Sequence, residues 1–195
     1  MKRTVTRLFD TQSQAESAVR ELEAAGIPED DLSLVAGRRS AEETRTFAHD
    51  NEAAEGAGKG AATGVVVGGG VGLLAGLGLL AIPGLGPVVA VGWLASTAVG
   101  AVAGAAAGGA TGGLLGALKD AGVGEKDAHV FAEGVRRGGT LVSARVEEAD
   151  AARVEAILGK SGIDAAERGA LYRQEGWTSF DEKAGPYTGE APPRM

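Results

Sequence analysis

Glycine spacing between residues 56 and 116 constrains this chain more than any other feature of its sequence. A small residue returns at every fourth position along two consecutive runs. The first run is Gly56, Gly60, Gly64, Gly68, Gly72 and Gly76, and the second is Gly92, Ser96, Gly100, Gly104, Gly108, Gly112 and Gly116. Since residues four apart lie on one ridge of an α-helix, two such helices can approach almost to backbone contact. The spacing predicts a helical glycine-zipper hairpin over residues 59–119, with the residues from Gly60 to Gly116 as its helix-packing and oligomerisation surface.

The two runs are separated by Ile82-Pro83-Gly84-Leu85-Gly86-Pro87. Proline cannot continue a helix, and glycine admits positive φ. Pro83, Gly84, Gly86 and Pro87 are therefore predicted to form the turn of the hairpin.

No charged side chain occurs from Ala61 to Leu118. Glycine inside a helix costs about 1 kcal/mol relative to alanine in water, whereas a bilayer enforces helix because unpaired amides are expensive in hydrocarbon. Helical arms of about 23 and 31 residues would measure roughly 35 and 46 Å, against a hydrocarbon core of roughly 30 Å. A membrane-spanning hairpin is expected. The alternatives are a water-soluble oligomer that buries the same ridges between subunits, and low-complexity disorder.

Composition excludes several classes of function. The 195 residues include no cysteine, which removes disulfides, thiolate metal sites and a cysteine nucleophile. A net charge of −7 argues against nonspecific binding to nucleic acid, which depends on basic residues. No apolar stretch follows Met1-Lys2-Arg3, so no cleavable signal peptide is expected, and the parts outside the hairpin are expected in the cytoplasm.

The segments on either side of the hairpin show alternating strand and helix patterns. A capping box formed by Thr11 and Gln14 opens the first helix, and Gly26 with Pro28 ends it. The predicted elements are a strand over 3–9, a helix to Ala25, a strand over 32–35, a helix over 125–137, a strand over 140–146, a helix over 149–158 and a short strand over 162–165.

This order predicts an α+β fold, a ferredoxin-like βαβ-αβαβ sandwich interrupted by the hairpin. The expected organisation is a first half-domain over 1–37, an acidic helical connector over 38–58, the hairpin over 59–119, a second half-domain over 120–168 and a flexible C-terminal tail over 169–195. The tail contains Trp177 and Tyr187, so a strip that docks on a partner is the alternative to a plain flexible end.

No catalytic, cofactor-binding or metal-binding residue is predicted. Glu125, His129 and Glu133 share a helix face at a spacing of four, but one histidine with two flexible glutamates is a weak ligand set, and a solvated polar face is preferred. The glycines around Lys59 do not match the phosphate-loop pattern. We therefore expect no enzyme, no cofactor and no identifiable small-molecule ligand.

Basic residues indicate an orientation for the hairpin. Lys59 and Lys119 lie at its open ends, with Arg136 and Arg137 nearby in sequence, so the positive-inside rule places the sandwich in the cytoplasm. Trp93 is interpreted as an anchor at the far membrane interface or as a space-filling residue beside the glycines.

Three motifs carry a resemblance to a known family: Val5-x-Arg7-Leu8-Phe9-Asp10-Thr11, the central Ile-Pro-Gly-Leu-Gly-Pro-Val-Val-Ala, and the stretch from Asp127 to Val142. With them the chain resembles the bacterial general stress protein, or heat-induced stress protein, domain family over roughly residues 3–168. The resemblance implies a stress-associated, non-enzymatic protein, and it supplies no catalytic residues.

Together these observations predict a stress-response homo-oligomer embedded in the bacterial inner membrane, assembled through glycine-zipper helices, with its α+β domains in the cytoplasm. Its expected partners are the lipid bilayer and other copies of the chain, and nucleic acid is not among them. The alternative is a cytoplasmic, self-assembling scaffold, a filament or shell in which the hairpins bury one another. A ligand-sensing module is a third possibility, based on fold analogy alone.

Overall fold

A computed structural model describes residues 2–37, 78–82, 85–98, 113–184 and 187. The strands are β1 Lys2–Phe9, β2 Leu32–Ala36, β3 Gly78–Ile82, β4 Gly86–Gly92 and β5 Thr140–Glu147. The helices are α1 Gln12–Ala24, α2 Gly113–Asp120, α3 Glu125–Arg136, α4 Glu148–Leu158 and α5 Ala165–Gln174, and residues 93–98 are also helical. The α+β class predicted from the sequence is confirmed.

The strands form one antiparallel sheet in the order β1-β5-β2-β4-β3. Because β5 lies between β1 and β2 and is antiparallel to both, β1 and β2 run in the same direction and α1 connects them. On the outer side of β1, Leu8 and Ile163 exchange backbone hydrogen bonds of 3.1 and 2.7 Å. The short strand predicted around Ile163 is therefore a single bridge.

One face of the sheet is covered by α1 and α4. The local signals predicted from the sequence act here: the Thr11 side chain accepts a hydrogen bond from the Gln14 amide, and Gly26 follows α1 with φ +86°. The apolar side chains of α1 pack against inward residues of β1, β2 and β5. This core includes Val5, Phe9, Ala15, Val19, Leu22, Leu34, Val142, Val154 and Leu158.

The other face carries α2, α3, α5 and the helical residues 93–98. Its core includes Leu8, Val35, Leu85, Val88, Leu94, Leu114, Leu118, Phe131, Val135, Leu141, Tyr172 and Phe180. Residues from the centre and from the C-terminal end of the chain thus share one core with the two half-domains.

β3 and β4 pair antiparallel, so the predicted helical hairpin is wrong over Gly78–Ile82 and Gly86–Gly92. The register pairs Gly78 with Ala90 and Ile82 with Gly86, and β4 also pairs with β2 from Val89 to Gly92. The physical reason is the alternation within β4. Val88 is buried in one core and Val89 in the other, which a strand at the sheet achieves and a one-sided helix does not. The predicted reversal does occur here, but between strands.

The C-terminal end is more ordered than the sequence predicts. Helix α5 runs to Gln174, Tyr172 is 1% exposed and Phe180 is 6% exposed. Asp164 caps α5 by accepting from the Glu167 amide at 2.9 Å. A flexible tail from residue 169 is therefore wrong through Ala184, because Tyr172 and Phe180 are buried in the same core as Phe131 and Val135 of α3.

Candidate functional site

The predicted helix-packing residues fall into separate environments. Gly92 ends β4 with φ +88°, and an added Cβ there would meet the Leu32 carbonyl oxygen at 2.2 Å. Ser96 is exposed in the helical residues 93–98, and Gly116 is buried within α2. Gly92 therefore permits a close backbone approach to β2 and is not part of a helix ridge.

The other predicted packing positions lie outside the described residues. They are Gly60, Gly64, Gly68, Gly72, Gly76, Gly100, Gly104, Gly108 and Gly112. The acidic connector over 38–58, Pro83 and Gly84 also lie outside, whereas Gly86 and Pro87 belong to β4. The described residues thus leave the zipper itself as a prediction.

Trp93 belongs to an ion-paired cluster at the end of β4. Its Nε1 donates to the main-chain oxygen of Asp31 at 3.2 Å, and the Arg145 guanidinium lies 4.5 Å from its ring centroid. The Asp31 carboxylate accepts from Lys2 Nζ at 2.7 Å. Trp93 therefore fastens the glycine-rich part of the chain to the sheet, so its interpretation as a far-interface anchor is wrong.

A buried polar cluster lies between α3, α5 and the segment that follows α5. Glu133 is fully buried and accepts from two arginines of its own helix. Arg136 donates from Nε at 2.8 Å and from Nη2 at 2.7 Å, and Arg137 donates from Nε at 2.6 Å. Arg137 also forms an ion pair with Glu175. A buried carboxylate and a buried guanidinium therefore compensate each other, and the second acid ties the end of α5 to α3.

Aromatic rings enclose the Arg137 side of this cluster. The Arg137 guanidinium lies 4.1 Å from the Tyr172 ring centroid and 4.9 Å from that of Tyr187. Tyr172 also makes an edge-to-face contact with Trp177, with centroids 5.7 Å apart. Burial opposes the charged form of Arg137, but its hydrogen bonds to Glu133 and Glu175 outweigh this and raise its pKa. Burial also disfavours the charged form of Tyr172. For a phenol this raises the pKa, so Tyr172 stays neutral.

A second buried arginine joins α5 to the start of α1. Arg168 is 1% exposed and forms an ion pair with Asp10. The Arg168 Nε and Nη1 atoms have no hydrogen-bond partner within the described part of the chain. This pair and the Glu133 cluster hold α5 at both ends, so the arrangement positions a helix and offers no free nucleophile or base.

Two of the three residues weighed as metal ligands, Glu125 and Glu133, are engaged by basic side chains. Glu133 is engaged by Arg136 and Arg137, whereas Glu125 accepts from Lys119 Nζ at 2.9 Å. That hydrogen bond with Lys119 lowers the pKa of Glu125. In the described ranges no group of three or more histidine, aspartate or glutamate residues could hold a metal ion.

The basic residues used to orient the predicted hairpin form ion pairs within the domain. Lys119, Arg136 and Arg137, from which the sequence predicts a cytoplasmic side for the open ends of the hairpin, each pair with a carboxylate of this domain. Lys59 lies outside the described residues. The sequence contained a signal for part of this cluster, because Glu133 precedes Arg136 and Arg137 by one helical turn. Nothing local indicated that Glu133 is buried or that Glu175 and Tyr172 join it.

Comparisons with protein-family models, with curated proteins and with solved structures found no match for this chain. Among the residues that the structure describes, none of the helices combines the length and the apolar character needed to cross a membrane.

Proposed function

We propose that this chain is a non-enzymatic protein that self-associates through two glycine-rich segments carried by a ferredoxin-like α+β domain. The first glycine segment is residues 38–77, and the second glycine segment is residues 99–112. In the proposed fold, Ile163, which bridges to Leu8, occupies the position of the last strand of the ferredoxin-like sandwich. The strands β3 and β4 extend the sheet at the other edge.

The pairing of β4 with β2 is the observation that carries this proposal. It attaches the centre of the uncharged run to the domain, so each glycine segment begins and ends on the same body. The first segment is flanked by β2 and β3, and the second by the helical residues 93–98 and α2. Both glycine segments are therefore attached to the domain at each end.

The same tethering favours assembly in water over a spanning hairpin. A segment that returns to its starting side has to cross a bilayer twice, and each crossing covers roughly 30 Å of hydrocarbon. Residues 38–60 contain charged side chains, so the uncharged parts of the two glycine segments are residues 61–77 and 99–112. Even as unbroken helix, at about 1.5 Å per residue, these parts would measure roughly 26 Å and 21 Å. Neither length supplies two crossings, so the first proposal is a self-assembling scaffold.

A homo-oligomer embedded in the bacterial inner membrane is the second candidate. It is supported by the absence of any charged side chain from Ala61 to Leu118. In both cases the role in stress response rests on the resemblance to the general stress protein family. The non-enzymatic role is supported by the site chemistry, because Glu133 and Arg137 are both engaged in buried ion pairs.

Sedimentation velocity on the full chain tests the proposal. The parent should sediment as an assembly well above the 19.4 kDa chain mass. A variant with leucine at Gly68, Gly72, Gly104 and Gly108 should lose this assembly and sediment as a much smaller species. Gly124→Leu is the matched control, because Gly124 is exposed, has φ −56° and has its nearest neighbouring atom at 3.7 Å.

An assembly of unchanged size in the fourfold variant, or a monomeric parent, would overturn the proposal. Flotation with liposomes separates the two candidates. Assemblies that remain free of lipid support the scaffold, whereas quantitative flotation that resists carbonate supports the membrane form.

A further inference from the structure

In the part of the chain that the structure describes, the outer edge of β3 is the less protected of the two sheet edges. β3 ends the strand order and pairs with β4 alone among the strands that the structure describes. Its sequence, Gly-Leu-Leu-Ala-Ile, contains no charged residue and no proline. Natural sheets protect their edges with charges, prolines or covering segments, because free backbone groups there pair with another strand.

The opposite edge shows this protection. β1 carries Lys2, Arg3 and Arg7, and Leu8 exchanges both of its backbone hydrogen bonds with Ile163. Charge and a covering residue thus block β1 from pairing with another chain. Within the described part of the chain β3 has neither of these devices, so its edge can accept a further strand.

The register determines which backbone groups β3 offers. Ala81 stands opposite Pro87, which has no amide hydrogen, so this pair does not exchange two ladder hydrogen bonds. Bonded and non-bonded pairs alternate in an antiparallel ladder, so the pair of Leu79 and Val89 is of the same type. The N–H and C=O groups of Leu79 and Ala81 therefore point away from β4.

We propose that this edge pairs antiparallel with β3 of a second copy of the chain, which joins two five-stranded sheets into one. The inference specifies a surface for the self-association proposed above and rests on that proposal. A two-fold axis at Leu80 places Leu79 opposite Ala81, so their outward groups satisfy one another across the axis. No charges meet, and at each end a glycine faces Ile82, which leaves room for the larger side chain.

A disulfide test addresses this register directly. The axis places Leu80 opposite Leu80 in a non-hydrogen-bonded pair, where Cα atoms lie about 4.5 Å apart, within the range of about 4.4–6.8 Å that a disulfide accepts. The chain has no cysteine, so Leu80→Cys introduces the single thiol. Mild oxidation should convert most of this variant to a covalent dimer. Thr4→Cys on β1 is the matched control and should stay uncrosslinked.

A charge test addresses the edge itself. Leu80→Lys places two like charges opposite each other at the axis and should raise the apparent dissociation constant at least about tenfold, a cost of about 1.4 kcal/mol. Thr4→Lys adds the same charge to the other edge strand and should leave association unchanged. Ala81→Pro removes one outward amide hydrogen and is the second variant if Leu80→Lys unfolds, which circular dichroism and thermal melting report.

The outcomes separate this inference from the proposed function. A monomeric parent overturns both. A parent that assembles but gives neither the Leu80→Cys crosslink nor a response to Leu80→Lys overturns the β3 interface alone. Crosslinking that persists in the fourfold glycine-to-leucine variant, with unchanged assembly size, supports the β3 interface and overturns the glycine-segment proposal.

Discussion

Removing the charge of Glu133 should be among the most destabilising conservative substitutions in this chain. Its carboxylate is fully buried and accepts three charge-assisted hydrogen bonds, two from Arg136 and one from Arg137. Charge-assisted hydrogen bonds contribute about 1.5–3 kcal/mol each. Part of this is recovered in Glu133→Gln, because the Arg136 side chain is 16% exposed and reaches water while Arg137 keeps Glu175. The remaining cost resembles that of a broken buried ion pair, about 3–5 kcal/mol.

Thermal and urea unfolding of the purified full chain measure this cost. At about 2–4 °C per kcal/mol for a chain of this size, the melting temperature should fall by roughly 6–20 °C. Glu167→Gln is the matched control, because Glu167 is exposed in the first turn of α5 and should change stability by less than about 1 kcal/mol. The double variant with Arg137→Met should recover much of the loss, since it removes both buried partners.

Two results would refute this reasoning. One is a melting temperature of Glu133→Gln within about 2 °C of the parent, less than the shift expected for 1 kcal/mol. The other is a double variant whose loss equals the sum of the two single losses. Either result would mean that the buried pair does not carry the contact between α3 and α5.

Three further predictions use the same unfolding assays. Gly92→Ala should cost about 3 kcal/mol or more, because the added Cβ meets a main-chain oxygen of β2. Gly26→Ala, at a similar φ in open space, should cost about 1–2 kcal/mol. Equal losses in the two variants would contradict the close approach of Gly92 to β2. Phe180→Ala should cost about 3–5 kcal/mol and the exposed control Thr178→Ala almost nothing, whereas a free C-terminal end predicts no loss in either. Burial raises the pKa of Glu182 in the folded chain. The contribution of Glu182 to stability is therefore full below pH 4.5 and is lost as pH rises through its folded-state pKa. Glu182→Gln should be more stable than the parent at pH 7 and lose that advantage near pH 4.

Local signals were sufficient for the two half-domains. The capping pair of Thr11 and Gln14 and the stop at Gly26 set the ends of α1 within a few residues. The residue patterns over 140–146 and 149–158 likewise predicted β5 and α4 within a residue or two of their observed bounds. These signals are sufficient because each depends on residues within one or two turns of the chain. The face that a segment buries does not depend on which other element packs against it.

The fold of the uncharged centre depended on a contact between residues far apart in the chain. Glycine spaced by four is compatible with a helix ridge, but Val88, Val89 and Val91 also suit a strand, and β4 is a strand because β2 offers it a ladder and both faces bury its side chains. The Arg137 cluster has the same origin, since Tyr172 and Glu175 join it from another helix. Periodicity within a segment predicts which of its faces is apolar. Which other element packs against that face is determined only by the tertiary structure.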